Sequence, residues 1–156
     1  MSKHALKHSP LPRWDLSDLF SSIDDPKIDE TLSKQLKRAQ AFNKKYRGTI
    51  SAKHSPQEIA DILKEYEGIL QETWKPELYA MLVHSADSKN PKHGALIQKT
   101  EQRGLAISKE LLFLELELIR VDEKTLKEWI KSPALAKYRH YLEKELMWKP
   151  HRLSEA

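Results

Sequence analysis

The sequence has no cysteine, which removes disulfide frames, thiolate nucleophiles and thiolate zinc sites, and makes the reducing cytoplasm the expected setting. Glycine is almost as scarce. Gly48, Gly68, Gly94 and Gly104 stand alone, so the chain has neither a Gly-rich phosphate loop nor a G-x-S-x-G elbow. No apolar run approaches the ~20 residues that cross a bilayer, and the start lacks the apolar stretch and cleavage site of a secretory signal. Internal repeats and low-complexity segments are absent too. What remains is a chain of 156 residues, 39% hydrophobic and 32% charged, which is long enough to bury one core and too rich in apolar side chains for wholesale disorder.

The net charge of +4 comes from 27 basic and 23 acidic residues, too even a balance to name a partner. Much of the excess lies at Lys34, Lys37, Arg38, Lys44, Lys45 and Arg47, a stretch without an acid. On a helix these bases oppose an apolar side of Leu32, Ala39, Phe42 and Tyr46. No aromatics interleave with them as single-strand readers need, so a solvated face is expected rather than a nucleic-acid footprint.

Prolines fall where helices should start, which predicts an all-α bundle of about six helices. Residues 1–12 read as a polar tail, and 13–156 as one helical domain. Leu16, Leu19 and Phe20 share one side of a short anchoring turn. Asp25-Pro26 should cap a first long helix that ends at Gly48, and Ser55-Pro56-Gln57-Glu58 is a capping box for a second. Pro76 predicts a separate helix or a kinked continuation over Glu77 to Asp87. Asn90-Pro91 should open the longest and central helix, running to about Val121 and wrapped on most sides in its second half. Its Leu114 to Leu118 stretch alternates like a strand, but sits inside a helical pattern. Asp122 caps a short helix with Leu126, Trp129 and Ile130. Ser132-Pro133 starts another, carrying Leu135, Tyr138, Leu142 and Leu146, which Pro150 ends. Leu153-Ser154-Glu155-Ala156 has the form of a staple and cap for a further helix, so the bundle is expected to lack its C-terminal continuation.

No self-contained active site emerges. The seven histidines, His4, His8, His54, His84, His93, His140 and His151, include no H-E-x-x-H, so no catalytic, cofactor-binding or metal residues are assigned. Glu115 and Glu117 diverge by about 200° around a helix and cannot act as an acid and base couple. Glu115 falls between Leu111 and Ile119 and is expected to be buried. Burying its charge would cost several kcal/mol without compensation, and Arg139, flanking the apolar face of the last helix, is the expected ion-pair partner. The tryptophans, Trp14, Trp74, Trp129 and Trp148, are expected near helix edges as core or interface fillers.

Several of these pieces also carry a family resemblance. Trp14-Asp-Leu-Ser-Asp-Leu-Phe20, Tyr79-Ala-Met-Leu82, Leu112-Phe-Leu-Glu-Leu-Glu-Leu118, Leu135-Ala-Lys-Tyr-Arg-His-Tyr-Leu142 and Pro150-His-Arg-Leu-Ser-Glu155 follow in an order that resembles the N-terminal region of oligoendopeptidase F. That family is a group of thimet oligopeptidase-like zinc metallopeptidases. The resemblance implies a non-catalytic helical domain that walls a channel admitting short peptides. It also implies, as partners, a C-terminal catalytic domain holding the zinc and an oligopeptide substrate, with neither membrane nor nucleic acid expected. The chain alone should not hydrolyse peptides, and a severed domain of this kind should expose a sizeable apolar surface. The alternative reading is a free-standing helical adaptor that docks a partner helix or peptide.

Overall fold

Asp25, Ser55 and Asn90 each stand before a proline, and each starts a helix. They open α1 (Pro26–Tyr46), α2 (Pro56–Ala86) and α3 (Pro91–Arg120) in the computed structural model, which describes residues 14–149. The proline fits because the first-turn amide it lacks would have no intrahelical acceptor, and the preceding side chain takes up another orphan amide. Asp25 accepts from Lys27, Asn90 from Lys92, and Ser55 from Glu58 while Glu58 reaches back to the Ser55 amide. Asp25 also accepts from the backbone amide and hydroxyl of Ser21. Led by that Ser21 amide, these donors hold its carboxyl below the usual range.

The three long helices run up, down and up around a common core. Leu32, Ala39 and Phe42 of α1, Ile59, Leu63 and Ile69 of α2, and Ile107, Leu111, Leu114 and Leu118 of α3 are all buried. Each large aliphatic or aromatic side chain in that set stabilises the fold by about 1.5–3 kcal/mol relative to exposure. Phe42 is the hub, with its ring centroid 4.8 Å from Tyr46, 5.7 Å from Phe113 and 6.3 Å from Tyr66. The anchoring turn is present, with Phe20 edge-on to Tyr79 at 5.3 Å and Leu16 and Leu19 packed beside the core.

Polar clips set the helices in register. Asp29 accepts from Lys99 at 2.6 Å and Arg103 at 2.8 Å, and Asn43 donates to the Glu110 carbonyl at 2.7 Å, so α1 and α3 run in the same direction. Gly48 follows α1 with φ +82°, a conformation that a side chain would strain. Glu117 of α3 accepts from the amides of Gly48 and Ile50 and ties that turn down.

Three expectations are corrected. Of the two alternatives at Pro76 the continuation holds, and α2, at 31 residues, exceeds α3, the expected longest helix, at 30. The proline removes the donor for the Glu72 carbonyl, but Thr73, Tyr79 and Ala80 are buried around it, and tertiary packing holds the helix together. That continuity is why the described residues carry five α-helices rather than about six. The segment after α4 (Glu123–Lys131) is not one helix but a 3₁₀ segment over Pro133–Tyr138 followed by α5 (Arg139–Trp148). Ser132 makes no side-chain cap bond there, and the first turn tightens, with the Leu135 amide donating to the Ser132 carbonyl.

The expectations for α4 and for the Leu114 to Leu118 stretch hold among the described residues. Asp122 caps α4, Leu126 and Trp129 are buried, and the Leu114 to Leu118 stretch is helical. The C-terminal start signal, Pro150 and the first twelve residues lie outside the described residues. No helix among the described residues is long and apolar enough to cross a membrane.

Candidate functional site

The carboxylates of α3 point different ways. Glu117 is occupied by the amides after α1, whereas Glu115, half-buried rather than buried, accepts from the Tyr66 hydroxyl at 3.2 Å. Burial of the Tyr66 ring, then the Glu115 charge, push its hydroxyl pKa well up, with a further contribution from Glu145 of α5. The fully buried carboxylate of this region is therefore Glu145, 6% exposed, which the sequence analysis did not single out. Its spacing was the available signal, because it lies three residues after the buried Leu142 and so on the same face.

Arg139 is exposed, and its Nε donates to the Ile130 carbonyl at 3.2 Å. The 3₁₀ segment brings the start of α5 beside α4, so this guanidinium covers a last-turn carbonyl of α4.

The histidines do not converge. Among the described residues no group of three or more His, Cys, Asp or Glu side chains could hold a metal ion. His4, His8 and His151 lie outside the described residues. The basic segment is partly consumed by structure. Arg38 donates to Gln35, and Lys45 pairs with Glu65 at 3.5 Å, while Lys34, Lys37, Lys44 and Arg47 are exposed.

The distinctive surface is apolar and lies on the hairpin of α2 and α3. Tyr66 meets Glu115 and, eleven residues on along α2 and eleven back along α3, the Glu77 side chain fills the space beside Gly104. These two contacts set an antiparallel register in which Leu105 is level with Pro76. Around that level Trp74, Leu78 and Met81 are 59%, 44% and 51% exposed, and Leu105 is 69% exposed, with Leu112 one heptad beyond it. The spacing of four and three puts the α2 residues on one helix face. On α3, Leu105 and Leu112 each follow by two residues a position turned to α1, Arg103 and Glu110, and so lie about 200° away from it. On α2, Trp74 follows Glu65, which meets Tyr46 of α1, by nine residues or about 180°, so both sets look out on the side away from α1.

In its first half the same α2 face is covered. Glu67, one heptad before Trp74, accepts from Lys137 and Tyr138 of the 3₁₀ segment, and Lys137 above all lowers its carboxyl pKa. Between the bare apolar side chains sits Glu77, half-buried, with a carboxyl pKa raised by burial first and by the Glu101 charge second. A side chain at Gly104 would collide with this carboxyl, so glycine makes the notch that holds it. Trp74 thus stands within a helix rather than at its edge. The buried Trp129 fits the expectation of a core filler.

Against this geometry, comparison with known proteins gives two matches. The family model described as Oligopeptidase F matches residues 117–156. An oligoendopeptidase F homolog of Borreliella burgdorferi is 24% identical over 143 residues, covering 92% of this chain and 23% of the relative. The chain therefore spans under a quarter of the length of the curated relative it matches. No solved structure matches. The chain resembles the N-terminal region of oligoendopeptidase F.

Proposed function

We propose that this chain is the helical N-terminal domain of an oligoendopeptidase F-like zinc peptidase, walling a channel that admits short, unstructured peptides while contributing no catalytic residue. One observation carries the reading: the likeness to the relative runs over 92% of this chain but occupies only 23% of the relative. The bare apolar face agrees with a domain made to pack against further polypeptide.

Domain limits of 13–156 with a tail at 1–12, a cytoplasmic setting and an oligopeptide substrate are parts of the same proposal. The 156-residue chain is expected to leave a quenched fluorescent oligopeptide intact with or without added zinc. The polypeptide encoded in frame beyond Ala156 should contain H-E-x-x-H, and the joined protein should cleave that peptide and lose the activity on chelation. An in-frame product without that motif, or a joined protein inert toward oligopeptides, overturns the reading in favour of a free-standing helical adaptor, for which the exposed face would be the binding surface.

A further inference from the structure

We propose that the strip of Trp74, Leu78 and Met81 on α2 and Leu105 and Leu112 on α3 seats an amphipathic helix from the remainder of the longer peptidase, and that this helix brings a lysine or arginine to Glu77. The inference rests on the functional reading above and adds the occupant and its chemistry.

Continuity is the first argument. The α2 face that carries Glu67 is already covered within this chain by the 3₁₀ segment, and Trp74 and Met81 extend that face by one and two heptads without cover. A further helical segment laid end to end with the 3₁₀ segment would complete the layer. The relative supplies the source, because more than three quarters of its length lies outside the part this chain matches.

The chemistry of the strip narrows the occupant. Helices α2 and α3 satisfy their backbone groups internally and offer no ladder to an extended peptide, whereas a helix arrives with its own backbone bonds made and needs only side-chain contacts. Glu77 has no hydrogen-bond or ion-pair partner among the described residues, yet it is half-buried beside Gly104, and only the like charge of Glu101 acts on it. A carboxylate covered further by an apolar helix would need a cation or a donor. A second copy is the poorer occupant. A two-fold contact across the strip would bring the Glu77 and Glu101 carboxylates of both protomers together.

Hydroxyl-radical oxidation of Trp74 and Met81 tests the cover directly, comparing the 156-residue chain with the joined protein. Protection on the order of tenfold is expected in the joined protein, with acetylation of Lys34 and Lys37 unchanged as the control. With the downstream polypeptide supplied as a separate chain, Leu78→Glu with Met81→Glu should weaken binding at least about tenfold. Glu77→Gln should weaken it several-fold, and Lys37→Glu should leave it unchanged. Equal oxidation in both proteins, or binding indifferent to the double substitution, overturns the strip while leaving the peptidase reading intact if the joined protein still cleaves peptides. Binding indifferent to Glu77→Gln overturns the cation. Protection of the 156-residue chain that grows with its own concentration assigns the strip to a second copy and overturns the proposal, and the lack of an encoded downstream domain overturns both readings.

Discussion

The two halves of α2 share a helix and a period but not a fate. In the first half Ile59, Ile62, Leu63 and Ile69 are buried, and the outward Glu67 is clipped by the 3₁₀ segment. In the second half Tyr79 and Ala80 still face the core, yet Trp74, Leu78 and Met81 lie open. Apolar residues around more than one side of a helix mean cover on more than one side. The first half has found that cover among the described residues, and the second has not. The most severe test is Leu135→Ala. Leu135 is fully buried in the 3₁₀ segment that packs on α2, and its truncation should cost about 2–5 kcal/mol in urea unfolding. A loss below about 1 kcal/mol would mean that the first half is no better covered than the second.

The capping box gives the next effect. Ser55→Ala removes the acceptor for the Glu58 amide and should cost about 1 kcal/mol, read as faster amide exchange confined to the first turn of α2. Exchange that instead accelerated around Trp74 would show the two halves to be one cooperative unit. Gly104→Ala should come out smaller still in net terms. Helix propensity favours alanine by up to about 1 kcal/mol, while the new methyl evicts the Glu77 carboxyl from its notch.

The notch also has a pH signature. Burial raises the Glu77 pKa above its ordinary value of 4.5, so the folded state holds that proton more tightly than the unfolded state does. Its contribution is most favourable below the unfolded value and is lost as pH rises through the raised one. Asp29 and Glu67 act in the opposite sense. Hydrogen bonds from Lys99 and Lys137 lower them, so their contribution is present above the unfolded value and lost as pH falls. Glu77→Gln should therefore remove one opposing slope and steepen the acid loss of stability between pH 4 and neutrality, measured by urea unfolding across that window. In Gly104→Ala, where the carboxyl is already expelled, Glu77→Gln should change the profile little.

Much of this was legible in the sequence because it was written locally. The Asp-Pro, Ser-Pro and Asn-Pro starts, the Gly48 stop and the Leu126 and Trp129 face all needed only neighbouring residues to be read. The failures lay where distant packing decides. Pro76 left a break and a continuation both open, and only the burial of Thr73 and Tyr79 goes with the continuation. Ser132-Pro133 reads as the start of one helix, and a six-residue 3₁₀ segment precedes α5 instead, with Arg139 at its end bonded to the Ile130 carbonyl of α4. The notch for Glu77 could not be read at all, since Gly104 lies 27 positions away in sequence and only the register of two long helices brings them together.

The smallest expected effect separates the two halves most directly. Leu78→Ala and Met81→Ala remove side chains that already lie about half in water, so little transfer free energy is at stake. Each should change the stability of the isolated chain by no more than about 0.5 kcal/mol, against the several expected at Leu135. Urea midpoints taken at two protein concentrations check this. A large, concentration-dependent loss at Leu78 would mean that a second copy covers the strip in solution. A large loss independent of concentration would mean that residues of this same chain fold over it, and the contrast between the covered and bare halves of α2 would disappear.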